Sequence, residues 1–523
     1  MLIMGTVGDG MWDLVFPPGP PDRVSDMVTA AVVADAVREF DADLAQSVET
    51  CRDWRHRHHR LFRNMTALAV SRPETSLGIA RAGLASARTM LRFASGRAVT
   101  SLDAIDAEAL ESEAESAAGL LDTGEVRGEA APVPRLEIPW RGRLLAEDEL
   151  RAQLAVWEQR GIVEPGFAAA IEQVIDHPEW LRLPGFRLIA LGAGAELGPV
   201  RPLLAWGAEV IAVDRPGRSR WHRLRTHARA GAGRMTFPVT AAGPGADIAK
   251  SLPALLHWLS RSPDLRPVLG MYAGLPGAAA LRVAAASDVL AEALLRRHPG
   301  TALAALGSPT DCYAVPEQVV TAARRHFTER GLRGAAQDLL HRLAPSSVYS
   351  PNYTNPVTDT VGAQWGLFDN LPVLSGADYA LAHRLPRWRA VLAQDSATTI
   401  SYTVAPPAWT AAVRETAWRR AAYRAVSAFG VEVFDPATAR TLLAAKLVAD
   451  LHAPQPGSNP IASPSANPEA LFAIGAAHGG LWRQPFAPRS LLAPAALSGS
   501  VQEARDRART LLTRAIEIAT PTP

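Results

Sequence analysis

Apolar residues in this chain follow two rhythms. Between Arg187 and Leu306, short unbroken apolar runs recur: Leu188–Leu191, Val210–Val213, Val268–Tyr272 and Ala302–Leu306, with Arg234–Val239 between the second and third. Runs this short, bounded by glycine, proline or charge, predict strands buried on both faces. Between them apolar residues return every three or four positions, predicting a helix that ends at Gly207 and others over Ile248–Ser260 and Ala278–Arg297. Parallel neighbours need a helical crossover, so the alternation predicts an α/β fold with a doubly wound parallel sheet over 181–410.

The flanks keep the helical rhythm alone. Residues 1–180 read as a helical region, with Val28, Ala31, Val32, Ala36, Val37 and Phe40 at mixed three and four spacing. Stretch 102–130 reads there as an acidic helix followed by a loose tail, and further helices are predicted over Glu147–Arg160 and Pro165–Ile175. Residues 411–523 read as a helical extension, with helices at Ala411–Ala428, Pro436–Leu451 and Val501–Ala519.

Composition narrows the class. Apolar residues at 48% and charged ones at 20% describe a globular chain, and no apolar run approaches the ~20 residues of a membrane span. A formal charge of +2 argues against a dedicated nucleic-acid surface. Two distant cysteines, Cys51 and Cys312, make neither a disulfide framework nor a zinc spacing, and the N-terminus lacks signal-peptide order; both point to a cytoplasmic setting. The run Arg55-His56-Arg57-His58-His59-Arg60 reads as a solvated basic face rather than a ligand set, because neighbouring arginines repel a cation. No metal site is expected.

The chemistry-bearing stretch is Arg187–Arg218. A strand, a turn containing Gly192, Gly194 and Gly198, a helix and a second strand closing on Asp214 follow within about thirty residues. Glycines here let a diphosphate approach backbone amides at a helix start, and Asp214 stands where a carboxylate accepts from ribose hydroxyls. A plain βαβ unit with a tight turn would carry the same glycines.

The order of signals resembles the short-chain dehydrogenase/reductase family, with its Rossmann-like sheet. The turn Leu191-Gly192-Ala193-Gly194-Ala195-Glu196-Leu197-Gly198 is similar to TGxxxGxG, with Glu196 where the middle glycine belongs. Asp247 stands near the place of the family's adenine-contacting acid. Met271-Tyr272-Ala273-Gly274 keeps the last two residues of NNAG, Ser308 follows the fifth strand, and Tyr379 with His383 looks like YxxxK with His for Lys. Thr398–Val404 resembles the sixth strand, and Pro406 to Thr410 the stretch that folds over the nicotinamide. Ser308 and Tyr379 lie 71 positions apart, far more than is usual in the family, so 309–374 reads as an insertion shaped as a substrate lid.

The resemblance implies Tyr379 as proton donor or acceptor and Ser308 as hydrogen-bond partner of the substrate oxygen. His383 takes the lysine's place, with Arg384, Arg387 or Arg389 supplying charge in its stead. It implies NAD or NADP held by Gly192, Gly194, Glu196, Leu197, Gly198, Asp214, Arg215, Asp247, Ala273, Gly274, Pro406 and Thr410, with a lean to NAD through Asp214. The substrate expected is a sizeable apolar carbonyl or alcohol, and family habit implies a homo-oligomer. Two other readings stay open: an S-adenosylmethionine-dependent methyltransferase, whose turn looks the same but whose sheet ends in an antiparallel hairpin, and a cofactor-binding protein without turnover.

Overall fold

The computed structural model describes residues 12–453 and 467–491, apart from 22, 97, 106, 262–264, 344–347 and 372–375. The expected helix at Val501–Ala519 lies outside them.

Six parallel strands form the centre: β1 (Phe186–Leu191), β2 (Glu209–Val213), β3 (Arg234–Thr240), β4 (Arg266–Met271), β5 (Ala302–Gly307) and β6 (Ile400–Val404). Their order across the sheet is β3-β2-β1-β4-β5-β6. Helices α1 (Val200–Trp206), α2 (Arg218–Ala230), α3 (Leu252–Ser260) and α4 (Ala278–Arg297) make the early crossovers. The β5–β6 connection holds α5 (Glu317–Thr328), α6 (Gly331–Leu343) and α7 (Gly376–Asp395), and α8 (Pro436–His452) follows β6.

Strand residues alternate between two cores, because successive side chains leave a strand on opposite faces. Ile189, Leu191, Ile211, Val213, Leu269 and Leu303 join α3, α4, α7 and the N-terminal helices Val24–Val37, Trp54–Ser71 and Pro73–Met90. Leu188, Ala190, Val210, Ala212, Val268 and Ala302 join α1, α2, α8 and helices Glu147–Gln159 and Pro165–Asp176. Burial on both faces explains why the strands read as solid apolar runs. Among the described residues no helix is long and apolar enough to cross a membrane.

Several local expectations are corrected. The supposed loose tail contains a strand, Asp122–Arg127, paired antiparallel to β3 at the sheet's edge. Its polar side chains face solvent, and Gly124 lets the Phe237 ring lie against its backbone. Residues before 180 also form a three-stranded antiparallel sheet and a short hairpin, Ile138–Trp140 with Arg143–Leu145. In the basic run, His58 is fully buried and packs edge-on to Phe62, so that face is not wholly solvated. The insertion's single long helix is two, broken before Gly331 at φ +59°. Its supposed loop supplies the strand Gln364–Asp369, which pairs with Cys312–Pro316.

Candidate functional site

The glycine turn closes β1 and is shaped by contact with β4. Gly192 has φ +84°, and a Cβ there would lie 2.4 Å from Ala273 Cα, so only glycine lets the two strand ends approach. Gly274 faces open space. The N–H groups of Gly192 and Ala193 donate to Val213 O, those of Ala195 and Gly198 stay within the turn, and Gly194 N–H donates to Asp214 Oδ2 at 2.8 Å. Leu197 packs against the core on the α1 side.

Asp214 is held at both oxygens. Arg215 N–H donates to Oδ1 at 2.7 Å and Arg220 Nε approaches it at 3.3 Å. An ionised carboxylate offers about four lone-pair positions, so Oδ2, with one bond, keeps one for a ribose hydroxyl. Asp247 caps its own turn through Ala249 N–H, and its neighbour Ala246 donates to Asp214 O, which brings the two acids' segments together. Glu196 does not face the turn's amides. Its Oε2 accepts from Ala411 N–H at 2.8 Å, tying the turn to the segment after β6. Thr410 starts the short helix Ala411–Glu415, and Pro406 is buried beside it in sequence.

Two strands away, roughly 10 Å by sheet spacing, the end of β5 carries a triangle of hydroxyls. Ser308 Oγ lies 2.5 Å from Tyr379 Oη and 2.8 Å from Thr310 Oγ1, which is itself 2.8 Å from Tyr379 Oη. The structure thus brings Ser308 and Tyr379 together across the whole insertion. Thr310 was not foreseen, although its place two residues after Ser308 at a strand end was a usable signal. When Ser308 and Thr310 both donate to the phenol oxygen, Tyr379 keeps its own proton for an outward partner.

No family model and no curated protein matches the chain.

Burial pushes the Tyr379 phenol above its usual range, against the opposing pull of the Ser308 and Thr310 hydrogen bonds and the Arg419 charge. His383 lies one helical turn on, its ring centroid 4.5 Å from that of Tyr379, edge to face. Burial lowers its pKa below the ordinary value despite Asp311, so the imidazole is neutral at pH 7. The three arginines expected to add charge are committed elsewhere. Arg384 and Arg387 bond Asp311, Arg387 also bonds Glu469, and Arg389 bonds Asp288 and Glu292. Among the described residues a cation whose charge pulls the phenol down is Arg419, on helix Ala417–Val426, with Tyr423 near both. Nothing in the YxxxK-like stretch signals it.

Other candidates drop out. Cys312 is fully buried and its thiol is pushed up to about 12, chiefly by burial, which makes it inert. Tyr353 spends its hydroxyl on Trp482 O. Among the described residues no group of three or more His, Cys, Asp or Glu could hold a metal ion. Trp388 packs against Gly83 and Trp482 stacks on His478, so both are core residues.

Proposed function

We propose that the chain is an NAD(P)-dependent oxidoreductase of short-chain type, acting on a carbonyl or alcohol, with a Rossmann-like sheet. The observation that carries the reading is the Ser308–Tyr379 hydrogen bond at the carboxyl end of β5, in the same sheet edge as the glycine turn and Asp214. In doubly wound sheets ligands bind at that edge. The sheet order favours this reading over a methyltransferase, because β6 runs parallel beside β5 and no antiparallel strand lies between them.

Two features suit the adenosine end of a dinucleotide: Gly274 faces open space beside the turn, and Asp214 Oδ2 keeps one acceptor position. That acceptor favours NAD, since a 2′-phosphate would face a carboxylate. When bound, the nicotinamide gives or takes the hydride. Tyr379, protonated at neutral pH, donates its proton to the substrate oxygen as a carbonyl is reduced. Ser308 and Thr310 donate to the phenolate oxygen left behind, and Arg419 opposes its charge. His383 orients the ring without supplying charge.

The neutral His383 and the paired arginines favour a second reading, a dinucleotide-binding protein without turnover. Thermal shifts with NADH, NADPH and S-adenosylmethionine test the first step, because a ligand at a hundred times its Kd stabilises by about 2.7 kcal/mol. Stabilisation by S-adenosylmethionine alone overturns both readings. Where a dinucleotide binds, a carbonyl panel decides between them: turnover that falls about 10²–10⁴-fold in Tyr379→Phe supports the enzyme, and binding with no turnover supports the silent protein.

A further inference from the structure

A cavity of about 450 Å³ opens where four separate parts of the chain meet, and neither the hydroxyl triangle nor the glycine turn lines it. Arg160, just past the helix Glu147–Gln159, forms one wall; His326 and Arg330, at the end of α5 and the corner before α6, form another. Arg483 and Phe486 come from the C-terminal part, and Phe429 follows helix Ala417–Val426. Three arginines therefore line one space. The carboxylates that pair with them, Glu432, Asp338 and Glu164, are not among the lining residues.

Each guanidinium carries five N–H donors, and the pairs consume only some of them. Arg160 gives Nη1 to Glu432, and Arg483 gives Nη2 to Glu164. Arg483 Nε has no hydrogen-bond partner among the described residues, nor has Oε1 of the neighbouring Gln484, which is 7% exposed. Arg330 is fixed before any ligand arrives: its guanidinium lies 3.6 Å from the Phe327 ring centroid and 5.1 Å from that of Phe486, and Asp338 holds Nη2. Arginines that line the space while their paired carboxylates stand outside it keep N–H donors for an anion, and planar guanidiniums match the oxygens of carboxylate and phosphate. The volume exceeds that of a bare oxyanion and falls in the range of small-molecule sites. Phe429, half-buried at the rim, offers an apolar face for the remainder, while Phe486 is fully buried beneath Arg330.

We infer that this cavity is a second ligand site, built for a small organic oxyanion whose acid group meets Arg160, Arg330 and Arg483 and whose flat apolar body rests on Phe429. It stands independently of the dinucleotide reading. Arg483 follows Trp482, whose ring lies 5.7 Å from that of Tyr313, and the Tyr313 hydroxyl donates to Ser308 O. One aromatic step thus separates this wall from the hydroxyl triangle.

Calorimetry on the full chain at low salt tests the site with phenyl phosphate, using inorganic phosphate and phenol as comparisons. Expected are saturable binding of phenyl phosphate, binding of phosphate weaker by about ten-fold or more, and none of phenol. Arg160→Gln and Arg330→Gln should each weaken phenyl phosphate about ten-fold, the loss of one charge-assisted hydrogen bond. Arg160 is half-exposed, so its variant keeps the fold and decides the matter should Arg330→Gln loosen the corner. Absence of phenyl phosphate binding, or binding unchanged in Arg160→Gln, overturns the site.

Discussion

Asp311 should prove among the costliest single side chains to neutralise. It is completely buried one residue beyond Thr310 and accepts from Arg384 Nη2 and Arg387 Nη1, each at 3.1 Å. Glu469 provides the second negative charge through Arg387, so the four groups balance as two positive and two negative. Asp311→Asn preserves shape but leaves one excess positive charge in the core. At an effective dielectric near 20, each lost contact at this distance is worth about 5 kcal/mol gross. Relief from burying the carboxylate returns part of that, leaving a net loss of about 3–5 kcal/mol, the range for breaking buried pairs. Urea unfolding followed by tryptophan fluorescence measures it, with the slope unchanged if only the native state is affected. The double variant Asp311→Asn/Arg384→Gln restores charge balance and should lose less than the sum of its singles. A single variant within about 1 kcal/mol of the parent, or strict additivity in the double, would refute the argument. Because Asp311 holds the Tyr379 phenol up, its neutralisation should also shift that phenol's titration downward.

Lys446 and Asp450 form a second buried pair on α8, joined to β6 through Ser401 Oγ. Lys446→Met alone should cost about 3–5 kcal/mol, while Lys446→Met with Asp450→Leu should return to near the parent; equal losses in a denaturation series would contradict this. Gly192→Ala meets Ala273 at 2.4 Å and a left-handed backbone, so it should lose about 2–4 kcal/mol and any dinucleotide response; a neutral result in thermal melting rules out the close approach. Burial holds the pKa values of His58 and His478 below the ordinary 6.5, so the unfolded chain binds their protons first as pH falls. Their contribution is complete above about pH 6.5 and lost below it, at up to about 2.7 kcal/mol per pH unit for the two together. Urea midpoints that stay level from pH 7.5 to 5.5 would exclude it.

The parts of the fold legible from sequence are those where one physical cause dominates. β1, β2 and β5 appear as apolar runs because both their faces are covered, and α4 spans Ala278–Arg297 as its rhythm predicts. The edge strand Asp122–Arg127 is held mainly by backbone pairing and writes no apolar pattern, so its residues read as a tail. The insertion's strands escape for a like reason: Gln364–Asp369 sits among turn-forming residues, and its partner Cys312–Pro316 lies far back in the chain. Within the site, the Ser308–Tyr379 contact follows from the resemblance, whereas Thr310 and Arg419 do not. Arg419 acts from a helix beyond β6, and no local spacing links it to the phenol. The assignment of Arg384 and Arg387 to the phenol fails because a buried acid, Asp311, outcompetes it for both.

Glu164 begins the helix Pro165–Asp176 and accepts from His478 Nε2 at 2.8 Å, while the histidine's other ring nitrogen accepts from Gly480 and Trp482 amides. That arrangement closes a buckle between chain regions lying before β1 and after β6. The later region is in turn fastened to the end of β6, where Ala477 N–H donates to Val404 O, so amide exchange at that end should quicken when the chain is cut in either region.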